Sequence, residues 1–265
     1  MTQEMISKIQ KAINRHSGKI AVVDQPVLPL MHSTTCENTE NILENNLLSV
    51  TPCDVFGTKL LYFFYGKPAY RVSAKISDSS TSYTLAPCCF IVKPDKIKPE
   101  HIYPFDTGAF AADRYDEITK MRTEMREYEL SARIDDIPQF VCMFYENNQK
   151  YLEGRVSVAH GVETTIAVRA LTDLLGSSGF LKYDDRARTI EISTTENLAL
   201  SDVIEAIVVP IPFTRNEVFN EFIKMHSSIK VLTYMPHYPN PVSSYNEAIF
   251  QIVFSYLASR GLCDG

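Results

Sequence analysis

The run Leu60-Leu61-Tyr62-Phe63-Phe64-Tyr65 restricts the fold more than any other stretch of the chain. Large apolar and aromatic residues follow one another without the alternation of a half-solvated strand, so a strand buried on both faces is expected. Gly66-Lys67-Pro68 stops it abruptly, because proline has no N–H to continue a ladder. Shorter apolar runs at Ile20–Val23, Pro87–Val92, Thr189–Ser193, Ile204–Val209 and 229–234 read as further strands, with Thr189–Ser193 and Ile204–Val209 as neighbours.

Helical spacing of apolar residues marks 3–15, Glu37–Leu48 with a break at Asn45-Asn46, Val162–Leu175 closed by Gly176, 215–226, and Ser244–Arg260. A solvated amphipathic helix is expected over 113–131, with Ile118, Met121, Met125 and Leu130 inward, and an irregular loop over 106–114. A proline-rich turn is expected at 236–241. Strands and helices mixed in this way predict an α+β fold built as one domain over residues 1–265, with a helical C-terminal elaboration.

At 45% hydrophobic and 22% charged residues, the chain has enough apolar surface for a sizeable core, which excludes global disorder. A net charge of −6 argues against a protein that coats nucleic acid or anionic membrane non-specifically, although Lys93, Lys96 and Lys98 can line one side of a local groove. The six cysteines form no CxxC pair and no Cys/His zinc spacing, so buried reduced thiols and no metal are expected. The N-terminal stretch lacks a secretory pattern, and no apolar run approaches the roughly 20 residues that span a bilayer, so a cytoplasmic protein without a membrane partner is expected.

The scattered glycines give no phosphate-cradling loop, and there is no HExxH site, no G-x-S-x-G elbow and no kinase signature. Three elements remain, in this order: His32-Ser33-Thr34 at a strand end before a helix, Tyr62-Phe-Phe-Tyr-Gly-Lys-Pro-Ala-Tyr-Arg71, and Asp185-Arg-Ala-Arg-Thr-Ile-Glu191 entering a strand. Their order resembles the ADP-ribosyltransferase superfamily, and within it the DNA-modifying toxins of the DarT type and related bacterial defence transferases. The likeness covers about residues 28–75 and 183–210, and Asn41-Ile-Leu-Glu-Asn-Asn-Leu47 echoes the helix that follows the first strand in those proteins.

The resemblance implies a split β-sheet core with flanking helices and NAD as co-substrate. By position, His32 and Thr34, with Ser33 between them, hold the ribose and amide; Tyr62 or Tyr65 stacks on the nicotinamide, and Tyr70 completes the cofactor-binding set. Glu191 is the implied catalytic carboxylate. Lys67 stands where the family pattern has an arginine, with Arg71 four residues later, so either is a candidate for the catalytic cation.

The chemistry accounts for these residue types. Cleaving the bond from nicotinamide to ribose builds positive charge on the sugar, which a carboxylate stabilises, while an aromatic ring and a cation serve the leaving group and pyrophosphate. The implied function is ADP-ribosyl transfer to a macromolecule, with nucleic acid the leading acceptor, in a toxin or antiphage effector that an antitoxin or other partner restrains. Transfer to protein, hydrolysis of NAD, and a non-catalytic nucleotide-sensing module are the alternatives. Each residue also has an ordinary reading: a structural histidine, a core aromatic run, and a strand glutamate paired with Arg186 or Arg188. Glu163 is the rival carboxylate, at a helix's first turn.

Overall fold

A computed structural model describes residues 6–16, 25–69, 83–115, 124–162, 165–176, 185–236 and 245–264. Of the expectations above, the strand at 20–23, the inward residues Ile118 and Met121, the rival Glu163, the turn residues from 237 onward, and the site residues Tyr70 and Arg71 lie outside this set.

The chain opens with α1 (Lys8–His16), then β1 (Leu30–Thr35), α2 (Cys36–Asn45), β2 (Leu47–Leu48), β3 (Thr51–Cys53), β4 (Thr58–Tyr65), β5 (Pro87–Val92) and β6 (His101–Tyr103). Helices α3 (Thr107–Ala111), α4 (Ile137–Tyr145), α5 (Asn148–Leu152) and α6 (Ile166–Gly176) follow. The last part holds β7 (Glu191–Thr194), β8 (Leu198–Ala199), α7 (Leu200–Val203), β9 (Ile204–Pro210), α8 (Glu217–Met225), β10 (Lys230–Tyr234) and α9 (Tyr245–Ser259). The fold is α+β.

The main sheet runs β10-β9-β5-β1-β4-β7-β6, with β3 paired to β4 beside this path. Every neighbouring pair is antiparallel except β9 and β10, which are parallel and joined through α8. The central β5 is buried along its whole length. Helix α9 packs against β5, β9 and β10, while α2 packs on β1 and against α8.

The sheet is not evenly zipped. Strand β1 pairs with β5 from Leu30 to Thr35, but with β4 only through Leu30↔Tyr65 and Met31↔Phe64. From His32 onward β1 and β4 part, so the sheet opens between these two strands while remaining one continuous path.

Local chemistry explains several boundaries. Thr35 caps α2 by accepting from the Asn38 N–H at 3.2 Å, and Asn46 ends the helix in the left-handed region at φ 47°, a conformation that asparagine tolerates. Gly66 terminates β4 at φ +65°, and a Cβ there would sit 2.5 Å from Leu28 Cδ1.

Four expectations need correction. Thr189–Ser193 and Ile204–Val209 contain strands β7 and β9, but these are not neighbours: β5, β1 and β4 lie between them. Pairing is chosen by facing side chains and not by sequence proximity, and β7 adds beside β4 while β9 adds beside β5. The expected irregular loop over 106–114 holds helix α3, because the Asp106 carboxylate accepts from the Ala109 N–H at 2.8 Å and nucleates a turn. The part of 113–131 that is described beyond residue 123 forms a short 3-10 helix, Met125–Tyr128. Finally, β4 is fully closed on one face only: Leu61, Phe63 and Tyr65 are buried, whereas on the other face Leu60 is buried but Tyr62 and Phe64 are half-buried.

Candidate functional site

The three elements singled out in the sequence lie on three adjacent strands, β1, β4 and β7. His32 sits where β1 and β4 begin to part, and its Nδ1–H donates to the Tyr62 carbonyl at 2.9 Å. Its ring lies between Phe63 and Phe90, at centroid distances of 5.9 and 6.3 Å. Burial lowers its pKa below the ordinary 6.5, so the imidazole is neutral at pH 7, with Nδ1 protonated and Nε2 left as an acceptor.

The neighbouring hydroxyls differ. Thr34 Oγ1 accepts from Asn38 Nδ2 at 3.1 Å, which fixes it against the start of α2. Ser33 Oγ is buried beside the Cys89 thiol, with no other partner among the described residues.

Strand parity separates the aromatic candidates. Direct pairing puts Phe64 opposite Glu191 and Tyr62 opposite Ser193, and on the far side Tyr103 opposite Glu191 and His101 opposite Ser193. Paired residues share a face. Tyr62, Phe64, Glu191, Ser193, His101 and Tyr103 therefore form one polar face, and Phe63 and Tyr65 belong to the other.

Tyr65 is fully buried and its polar atoms are spent internally. Its phenol oxygen accepts from the Leu28 N–H at 2.9 Å, and its carbonyl accepts from the Tyr151 hydroxyl at 2.8 Å. A ring with no free face cannot stack on a ligand, so of the two platform candidates only Tyr62 keeps a half-buried ring. The Tyr62 hydroxyl lies 2.8 Å from Cys53 Sγ, and its pKa is pushed up by burial, with the Cys53 contact and Glu191 adding to the effect.

Lys67 is corrected as well. It is 6% exposed, its Nζ donates to the Arg188 carbonyl at 3.3 Å, and it lies 4.5 Å from the centroid of Tyr151. This ammonium ties the end of β4 to the segment preceding β7 and points away from the polar face. Gly66 likewise serves packing against Leu28, and not close approach by a ligand.

Glu191 is 6% exposed and begins β7. Its Oε1 accepts from Thr107 Oγ1–H at 2.6 Å and from the Thr107 N–H at 3.3 Å, whereas Oε2 has no hydrogen bond among the described residues. Next to it, Arg186 Nη1 and Asp106 Oδ2 form an ion pair at 2.7 Å, with both side chains 9% exposed. Burial, reinforced by the Asp106 charge, pushes the Glu191 carboxyl up to about 8, and the Thr107 donors and Arg186 only partly counter this.

The rim of this face is more open than its floor. Phe56 stacks on the half-buried His101 at 4.4 Å, and His101 Nδ1–H donates to Glu129 Oε1 at 2.7 Å. Ser193 Oγ lies buried below, without a hydrogen bond among the described residues. A cavity of about 530 Å³, lined by Pro52, Cys53, Asp54, Gly57, Thr58 and Lys59, reaches the face at Cys53. A second, of about 270 Å³, lies by Cys36, Glu37, Glu40 and Phe213 and touches none of the motif residues.

The sequence reading missed Asp106 and Thr107 beside Glu191, and the arginine it offered as a direct partner of Glu191, Arg186, pairs with Asp106 instead. The available signal was Asp106-Thr107 ahead of a glycine, a capping pattern after the strand Ile102-Tyr103. Cys36, Cys88, Cys89 and Cys142 are buried, whereas Cys53 and Cys263 are half-buried and depart from the expectation; burial raises Cys88 and pushes Cys89 up to about 12, which keeps both thiols protonated. Among the described residues no cluster of three or more His, Cys, Asp or Glu is disposed to hold a metal, and no helix is long and apolar enough to cross a membrane. No family model matches the chain, and neither a curated protein nor a solved structure matches it.

Proposed function

We propose that this chain cleaves NAD and transfers its ADP-ribose to a macromolecule, with Glu191 as the carboxylate that meets the developing positive charge. The observation that carries the reading is the placement of His32, Tyr62 and Glu191 on three successive strands at a point where the sheet opens. They are separated by up to more than a hundred residues in the chain, and each falls in one of the three segments that resemble DarT-type transferases. The His32 side chain shares the Leu30 and Phe63 side of the sheet, opposite to Glu191, and reaches the opening through its hydrogen bond to the Tyr62 backbone carbonyl.

The division of work follows from the surroundings. His32, neutral and with Nε2 unbonded among the described residues, suits a ribose hydroxyl; Ser33, with its Oγ buried beside Cys89 and on the Glu191 side of β1, suits the amide. Tyr62 offers a half-buried ring on the same face as Glu191, suited to a nicotinamide. The positive charge of that ring favours the ionised form of Glu191, which burial otherwise opposes. With Lys67 committed to the core, Arg71 is the cation assigned to the pyrophosphate.

Nucleic acid is the acceptor we assign, on the likeness to the DNA-modifying members of the family, in a toxin or defence protein restrained by a partner. The test is product analysis after incubation with NAD and, separately, DNA, RNA and protein. ADP-ribose attached to a nucleic acid supports the assignment; attachment to protein, or free ADP-ribose alone, replaces it with protein transfer or NAD hydrolysis.

One observation favours a second reading, a nucleotide-sensing module without chemistry: the burial that holds Glu191 protonated below about pH 8. That reading requires NAD to bind, by calorimetry, without nicotinamide release from pH 6 to 9.

A further inference from the structure

Glu191 is held asymmetrically. Both of its hydrogen bonds come from one residue, Thr107, and both go to one oxygen, Oε1. Two donors from a hydroxyl and the adjoining backbone N–H fix both the position and the plane of the carboxyl group, and leave Oε2 without a bond among the described residues. Thr107 is 1% exposed, so the pair is shielded from competing water.

The holder is itself braced. Asp106 accepts from the Ala109 N–H at 2.8 Å and pairs with Arg186 at 2.7 Å, and its own N–H donates to the Arg186 carbonyl at 3.2 Å. Arg186 belongs to the 3-10 helix Asp185–Arg188 directly ahead of β7, so the segment before Glu191 and the segment carrying Thr107 are clamped together. Such a clamp consumes two buried charges, which a plain structural contact does not require.

We propose that Thr107 is a positioning residue for Glu191: it ties down Oε1 so that Oε2 faces the ligand, and the Asp106–Arg186 ion pair holds Thr107 in register. The inference rests on the NAD-cleaving reading above, and deepens it by naming what orients its carboxylate. The charged and titratable groups around Glu191 are Asp106 and Arg186 beside it, Tyr62 on β4, and Tyr103 on β6, which in turn lies beside Glu129. Only Thr107 donates directly to the carboxyl among the described residues.

The experiment compares Thr107→Val, which keeps the shape and loses the hydroxyl, with Thr107→Ser, which restores it. Two readouts are taken on the full chain: nicotinamide release from NAD as kcat and KM across pH 6 to 10, and the carboxyl titration of Glu191 by carbon NMR, for which Glu191→Gln assigns the signal. In Thr107→Val, kcat is expected to fall about tenfold to a hundredfold with KM nearly unchanged, and the Glu191 midpoint to rise by about one pH unit, because a donor to the charged form is lost. Thr107→Ser is expected to recover both. An unshifted midpoint, or a serine variant as impaired as the valine, overturns the proposal. If wild type releases no nicotinamide but the midpoint moves and serine restores it, NAD cleavage fails while the hold of Thr107 on Glu191 stands.

Discussion

The two faces of β4 are built from the same kinds of residue and have opposite fates. Phe63 and Tyr65 are fully buried: Phe63 packs against the His32 ring, and Tyr65 against Tyr151 of α5, whose hydroxyl donates to the Tyr65 carbonyl and whose ring lies under Lys67. Tyr62 and Phe64 project onto a face with a buried carboxyl, a serine hydroxyl that has no hydrogen bond among the described residues, and a histidine–glutamate pair. One side uses its polar atoms up; the other leaves some open. The difference teaches that an aromatic run becomes a site only where its strand neighbours bring unspent polar groups.

That contrast can be broken first on its closed side. Phe63→Ala is expected to destabilise the fold by about 3–5 kcal/mol, because a fully buried ring leaves a cavity, while Tyr62→Ala on the half-open side costs roughly half as much or less. Urea unfolding of the two variants reads this directly; equal losses would erase the distinction between the faces.

The pH dependence of stability sharpens the open side. Glu191 in the fold titrates at about 8, above the ordinary carboxyl value of 4.5, so between these values the native state retains a proton that the unfolded chain has released. Stability contributed by this group is complete below 4.5 and is lost as pH rises through 8, with a slope of up to about 1.4 kcal/mol per pH unit. Unfolding of wild type and Glu191→Gln at several pH values should show a slope in that window which the glutamine variant lacks. Ionisation also brings activity, so nicotinamide release should climb through a midpoint near pH 8 and level about one unit above it.

A smaller effect is expected at the other tyrosine of the run. Tyr65→Phe leaves the buried Leu28 N–H without its acceptor and should cost about 1–2 kcal/mol in urea unfolding, with the KM for NAD unchanged. Lys67→Met should have the least effect on chemistry. Because Lys67 points into the Tyr151 layer, nicotinamide release by the folded variant is expected to stay within about twofold of wild type, and a loss of tenfold would return Lys67 to the site.

These contrasts also show what the sequence could carry. The helical spacing around Ile42 and Leu43, or around Phe219 and Phe222, is a local property, and α2 and α8 lie close to where it places them. The sequential order of His32, the Tyr62 run and Glu191 was legible because each sits at or near a strand boundary. What was not legible depends on contacts distant in the chain. Tyr62 and Tyr65 are three residues apart, and only the pairing of β4 with β7 decides which of them shares a face with Glu191. Lys67 reads as a free cation until Tyr151 and the Arg188 carbonyl close around it. Thr107 lies 84 residues before Glu191, and β7 and β9 seem adjacent in sequence although three strands separate them in space. Helix α4, apolar nearly all round, offered no clear amphipathic period, and its start is marked only by Pro138.

The most direct test of the account is nicotinamide release from NAD by wild type and by Glu191→Gln, measured at pH 8 after both are shown to be folded. The account predicts release by wild type and a fall of about a hundredfold or more in the variant, with NAD still bound. Equal release by both proteins would contradict the assignment of Glu191, and no release by either would contradict NAD cleavage itself.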